Sequence, residues 1–231
     1  EIDFSTMDLI FNKPEEKIPS VNLPPEYICL GKKGLPPAAN EAVSYLWSRG
    51  LSRRDILYYK IGFCLTGKYK KRIIIPSFDD EGACNYFTAR SYNGNWLTYK
   101  NPPVSKNIIF NDLLINWDEP ITLVEGPFDS IKVNNSIPIL GSTLKETTKL
   151  FKKIVEKQNK VFIGLDDDAL SKSIKIITSL LEYGLDVYKI NTSNIEDLGS
   201  LTKTEAEILK QSASQVNLQS IFNIYWSMNE L

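Results

Sequence analysis

Apolar and polar positions change rhythm about halfway along the chain. In the back half, short apolar runs alternate with longer stretches in which apolar residues recur at three- and four-residue steps. Ile121–Val124, Ile137–Leu140, Val161–Leu165 and residues 186–190 read as strands, and residues 128–134, 143–158 and 171–183 as the helices between them. Strands that alternate with helices of this length predict a mostly parallel sheet covered on both faces. Helices over 204–212 and 217–228 are expected to close the chain.

The front half has a different pattern. Residues 39–48 (ANEAVSYLWS) place Ala42, Tyr45 and Leu46 on one face of an amphipathic helix, with Gly50 as its stop. Ser52 is placed to cap a second, short helix running through Tyr59. Arg72–Pro76 (RIIIP) is a β-type run, Asp79-Asp80-Glu81-Gly82 a turn, and Ala83–Arg90 the returning strand of a hairpin. Asn93-Gly94 marks another tight turn. The first 37 residues carry Pro14, Pro19, Pro24, Pro25, Pro36 and Pro37 and read as an irregular entry or linker. The expected class is therefore α/β: a linker over 1–37, a small mixed α+β subdomain over 38–115, a parallel-sheet domain over 116–200, and C-terminal helices over 201–231.

Composition narrows the chemistry. No apolar run reaches the roughly 18 residues a membrane helix needs, so no membrane association is expected. There is no signal-peptide pattern, and a start at Glu1 suggests an excised fragment. The chain has no histidine, and its three cysteines, Cys29, Cys64 and Cys84, are widely spaced. That excludes Ser-His-Asp and Cys-His catalysis, leaves no credible zinc site, and suits the reducing cytoplasm. Acid–base or metal chemistry must then rest on carboxylates, lysine, tyrosine or water.

Net charge is only −1, yet it is unevenly spread: −3 over residues 1–48, +7 over 49–106 and −5 over 107–231. A basic block beside an acidic one suits a protein that grips a polyanion and binds cations nearby. Lys68, Lys70 and Lys71 would add sequence-independent attraction to nucleic acid, and Tyr69, Tyr92, Trp96 and Tyr99 interleave with them as candidates for base stacking.

Three acidic features follow successive strands of the back half. Glu125 comes directly after Ile121–Val124, with Asp129 four residues on; Asp166, Asp167 and Asp168 follow Val161–Leu165; Glu196 and Asp197 follow the strand over 186–190. Ligand sites of open α/β sheets gather at the carboxyl ends of strands. Carboxylates crowded there would repel one another unless a hard divalent cation joined them. Strand alternation would put Asp166 and Asp168 on one side and Asp167 on the other.

E-G-P-F-D (Glu125 to Asp129) and D-D-D (Asp166 to Asp168) resemble the E-G-x-x-D and D-x-D motifs of the Toprim domain, over about 120–200. The front half narrows the resemblance to DnaG-type primases of bacteria and phages. R-G-L-S (Arg49 to Ser52) with Tyr59-Lys60-Ile61-Gly62, and R-I-I-I-P-x-x-D-x-x-G (Arg72 to Gly82), are similar to stretches of their catalytic core. So are Phe87-Thr88-Ala89-Arg90, Tyr99-Lys100-Asn101-Pro102-Pro103 and Phe110-Asn111, in matching order. The chain departs from the pattern at Thr88 and Ala89, at Thr98, where Lys100 is the substitute cation, and at Ala169-Leu170-Ser171. It also departs at Glu196-Asp197-Leu198-Gly199, which lacks the family's second aspartate and leaves the third-strand ligand open. These departures mark a divergent, phage-like member.

The resemblance implies a Toprim domain over 116–200 and Mg²⁺- or Mn²⁺-dependent nucleotidyl transfer, making short RNA primers from ribonucleoside triphosphates on single-stranded DNA. Glu125, Asp166 and Asp168 are the first ligand candidates, Asp129 and Asp197 the next, and Glu125 is alternatively a general base. Arg72, Arg90, Lys70, Lys71 and Lys100 are candidates for contact with template or nucleotide phosphates. A replicative helicase is the implied partner, through regions outside these residues, as is an N-terminal zinc-binding domain. The competing readings are a Toprim nuclease and a non-catalytic Toprim DNA-binding module.

Overall fold

The computed structural model describes residues 20–94, 96–141, 143–217 and 219–221. These divide into two compact units, residues 20–114 and 115–221. Among the described residues, no helix is long and apolar enough to cross a membrane.

The first unit is built on a four-stranded antiparallel sheet in the order β1-β2-β3-β4. Its strands are β1 (Tyr27–Cys29), β2 (Gly62–Cys64), β3 (Arg72–Phe78) and β4 (Cys84–Ser91). Helices α1 (Ala39–Ser48) and α2 (Arg53–Tyr58) lie between β1 and β2 in sequence. The expected Ser52 cap is present: its hydroxyl accepts the Asp55 N–H, and the Asp55 carboxylate accepts the Ser52 N–H at 2.8 Å. The RIIIP run extends to Phe78 and is buried through Ser77, so both of its faces are covered. Pro76 is tolerated there because β2 reaches only as far as Ile74, leaving that side of Pro76 with no strand to pair. Behind the hairpin, Ser77 and Asn85 join Asn111 and the Ile109 carbonyl in a buried hydrogen-bond set that ties residues 109–111 to the sheet.

Two strands of this sheet were not anticipated. Tyr27–Cys29 lies in the stretch expected to be irregular, yet it forms the edge strand β1, pairing Ile28 with Phe63. The Tyr27 hydroxyl also donates to the Lys60 carbonyl. Both strands are three residues long, too short for an alternation to show in sequence. Gly62 is required by this pairing, since a Cβ there would collide with the Tyr27 ring and the Ile28 carbonyl.

The second unit carries a five-stranded sheet in the order β6-β5-β7-β8-β9. Its strands are β5 (Ile121–Val124), β6 (Ser136–Pro138), β7 (Val161–Gly164), β8 (Val187–Lys189) and β9 (Ser214–Val216). The first four are mutually parallel and β9 joins β8 antiparallel. The crossovers carry α3 (Pro127–Lys132), α4 (Lys149–Lys157) and α5 (Leu170–Glu182), with α6 (Lys203–Gln211) before β9. The mostly parallel α/β sheet is the one expected. Helix α4 starts six residues later than the expected 143, because the Thr148 hydroxyl caps it by accepting the Phe151 N–H. The closing antiparallel strand β9 was not anticipated, and most of the helix expected over 217–228 falls outside the described residues.

Candidate active site

The central strands β5 and β7 are buried throughout except Phe162, and they pair in register from Ile121↔Val161 to Val124↔Gly164. Neighbouring parallel strands lie about 4.8 Å apart. Two carboxylates that directly follow them therefore start close together. Glu125 is the first residue after β5, and Asp166 follows β7 by two residues. The Leu165 carbonyl, between β7 and Asp166, accepts the Thr192 hydroxyl at 2.9 Å, which fixes the turn.

Carboxylate oxygens of Glu125, Asp166 and Asp168 lie within 4.8 Å of one another. Asp166 and Asp168 share a side as expected, but not by strand alternation. Asp166 is the last extended residue, and Asp167–Ala169 form a 3₁₀ turn that brings Asp168 back to the group; Asp167 and Asp168 are both exposed. Burial, then repulsion from Glu125, Asp197 and Asp168, pushes the Asp166 carboxyl up to about 6, with Lys172 pulling the other way. Charges crowded to that degree, with oxygen-only donors, fit a hard divalent cation.

Lys172 was not singled out in the sequence. It lies in the first turn of α5, four residues after Asp168, and its ammonium reaches Glu125 at 3.3 Å. The partners stand 47 positions apart, so no local spacing in the sequence announces the pair.

Asp129 plays a different part from the one expected of a ligand. It is 7% exposed, on the first turn of α3. One carboxylate oxygen accepts the Gly126 N–H at 2.8 Å and the other the Gly199 N–H at 3.0 Å. It thereby ties the loop that carries Glu125 to the turn after β8. Burial raises its pKa to about 7, opposed by the Gly126 bond and reinforced by the charges of Asp197 and Asp166. Gly199 permits the approach, since a Cβ there would sit 2.7 Å from the Asp129 oxygen. Asp197 is half-buried beside Asp129 and Asp166, whereas Glu196 is exposed.

The expected cations belong to the first unit. Arg72 is 5% exposed, and its guanidinium donates to the carbonyls of Ala89 (3.2 Å), Thr98 (3.0 Å) and Leu97 (2.7 Å). Instead of facing solvent, it braces the segment after β4, because a buried guanidinium must find acceptors and three main-chain carbonyls converge there. Arg90 is half-buried, donating to the hydroxyls of Tyr45 at 2.7 Å and Tyr99 at 2.8 Å. Lys70 is exposed, Lys71 is paired with Glu41 at 3.4 Å, and Lys100 is half-buried.

Fold and site together define an open α/β sheet with carboxylates at its strand ends, preceded in the chain by an antiparallel unit. Among solved structures, this fold is found in DnaG primase catalytic cores. No family model and no curated protein matches the sequence. The structure of the DnaG primase catalytic domain bound to ssDNA is similar with a TM-score of 0.69 and 20% identity, over 82% of this chain and 76% of that one. The catalytic core of the E. coli primase matches with a TM-score of 0.65 and 20% identity, over 82% and 78% of the two chains. The zinc-binding and RNA polymerase domains of the Aquifex aeolicus primase match with a TM-score of 0.65 and 20% identity, over 76% of this chain and 56% of that one. The chain has the fold of the DnaG primase catalytic core.

Proposed function

We propose that this chain is the catalytic core of a DnaG-type DNA primase, joining ribonucleotides on a single-stranded DNA template. The observation that carries the reading is the approach of Glu125, Asp166 and Asp168 to within 4.8 Å at the carboxyl ends of adjacent strands. A fold shared with a primase domain that binds ssDNA supports the choice of template.

Glu125, Asp166 and Asp168 would hold Mg²⁺ or Mn²⁺, with Asp197 a further carboxylate whose charge acts on Asp166. Such an ion lowers the pKa of an attacking hydroxyl and stabilises charge on a phosphate and its leaving group. Lys172 holds Glu125 in place through their 3.3 Å contact. Asp129 orients the Glu125 and Asp197 loops through the two N–H groups it accepts, and Arg72 orients the segment after β4. Arg90, Lys70, Lys71 and Lys100 are the cations assigned to nucleic acid or nucleotide phosphates. A helicase partner and a cytoplasmic location belong to the same reading.

Incubation with single-stranded DNA, labelled ribonucleoside triphosphates and Mg²⁺ or Mn²⁺ tests the proposal. The expected products are short RNAs that require both template and divalent ion. Cleavage of the DNA without RNA synthesis would replace the reading with that of a nuclease.

A further inference from the structure

The antiparallel sheet is chemically polarised along its strands. Arg72 pairs with both Cys64 of β2 and Ser91 of β4, so the loops over 65–71 and 92–98 leave the sheet at one end. The β3–β4 turn, with Asp79, Asp80 and Glu81, leaves at the other. Seven residues of strand set these ends about 20 Å apart. The first end has Lys68, Lys70 and Lys71 in a loop with no acid of its own; Glu41 pairs with Lys71 at 3.4 Å and the Glu26 carboxylate lies against Gly67, while Lys68 and Lys70 are exposed.

The two loops at that end are joined, the Tyr92 N–H reaching the Lys71 carbonyl at 3.4 Å. Beyond the Asn93-Gly94 turn, the returning arm is firmly held. The buried Arg72 guanidinium binds the Leu97 and Thr98 carbonyls, and the Ser91 N–H binds the Thr98 carbonyl at 2.8 Å. Immediately before these anchored residues stands Trp96, 89% exposed. The other aromatics at this end are engaged: Tyr69 is buried against Phe87, Tyr92 lies beside Tyr45, and Tyr99 is bonded to Arg90. A large indole 89% exposed next to a braced main chain gains little from packing among the described residues. Its free faces and the adjoining cations match an unpaired nucleobase followed by its phosphates.

We propose that Trp96 is a stacking platform for a base of single-stranded nucleic acid, with Lys68, Lys70 and Lys71 attracting the phosphates alongside. This deepens the nucleic-acid part of the function proposed above and is independent of the reaction. A duplex hides base faces except at its ends, and an abasic strand has none, so the contact belongs to unpaired bases.

The test measures equilibrium binding of wild type, Trp96→Ala and Trp96→Phe to a labelled single strand, the same length of duplex, and an abasic strand of equal charge. Trp96→Ala is expected to weaken binding of the base-bearing strand roughly five- to fiftyfold. It should leave duplex and abasic binding unchanged, while Trp96→Phe retains most of the affinity. Wild type should prefer the base-bearing strand over the abasic one by a similar factor. Equal affinity of wild type for both strands, or an equal loss on both in Trp96→Ala, overturns the proposal. Trp96-dependent binding without primer synthesis would leave this inference standing and remove the primase reading. Primer synthesis with no Trp96-dependent binding would do the reverse.

Discussion

The two sheets differ in how they make a functional surface. The parallel sheet concentrates like charge: Glu125 and Asp166 are brought together because their strands are neighbours in register. The result is a strained arrangement, with the Asp166 carboxyl pushed up to about 6 by burial and by its neighbours. The antiparallel sheet carries unlike charge in its two end loops, three lysines in the loop over 65–71 and three acids in the β3–β4 turn, with Glu41 pairing Lys71 at the basic end. Its buried polar side chains act as braces, Arg72 with three carbonyls and Ser77 with Asn85 and Asn111. Electrostatic frustration thus marks the unit expected to bind a cation, and satisfied bracing marks the unit expected to present contacts to a strand.

The largest effect should come from relieving the frustration. Glu125→Gln and Asp166→Asn are each expected to reduce nucleotide incorporation by at least about 10²-fold while keeping the fold, as judged by circular dichroism. Activity near wild type in both would break the contrast drawn between the two sheets.

Gly199→Ala tests whether the acidic site depends on a clamp as well as on charge. The new methyl would press on an Asp129 oxygen and disturb its bond to the 199 N–H. A loss of about 2 kcal/mol in denaturant unfolding is expected, together with weaker Mn²⁺ binding by calorimetry. Unchanged stability would show that the turn after β8 is not held by Asp129.

On the antiparallel side, Lys70→Ala combined with Lys71→Ala should weaken single-strand binding about tenfold at low salt. The slope of log affinity against log salt should flatten by about 1.4, because two fewer phosphates are neutralised. No sequence preference should appear among templates. A salt slope equal to that of wild type would show that the strand is tracked elsewhere.

The smallest effect concerns pH. The folded-state pKa of Asp166 is raised above its unfolded value, so the folded state holds the extra proton. The stabilisation this gives is complete at low pH and fades as pH rises through about 6. Without divalent ions, Asp166→Asn should therefore gain stability over wild type between about pH 4 and pH 7. The gain should be about 1 kcal/mol, allowing for solvent screening of this half-exposed group. Added Mn²⁺ should stabilise wild type and erase that advantage. A thermal shift independent of both pH and Mn²⁺ would count against mutual repulsion at the site.

The acidic strand ends were legible because Glu125 and Asp166 each directly follow an apolar run, a local pattern. The strands β1 and β2 were not, because three residues are too few to show a period. Lys172 and Gly199 were missed for another reason. Lys172 meets Glu125 across 47 positions of sequence, and Gly199 meets Asp129 across 70. No local signal records such a pairing.

Sequence alone determined the change from an antiparallel to a parallel half, the positions of Glu125, Asp166 and Asp168, and the basic block between residues 49 and 106. These follow from periodicity and charge, which are properties of neighbouring residues. Tertiary structure decided what each polar group does with its position. Arg72 became a brace because burial obliges a guanidinium to find acceptors. Asp129 became a clamp because two N–H groups, at Gly126 and Gly199, converge on its carboxylate. Trp96 is left exposed among the described residues while Arg72 holds the main chain that follows it, at Leu97 and Thr98.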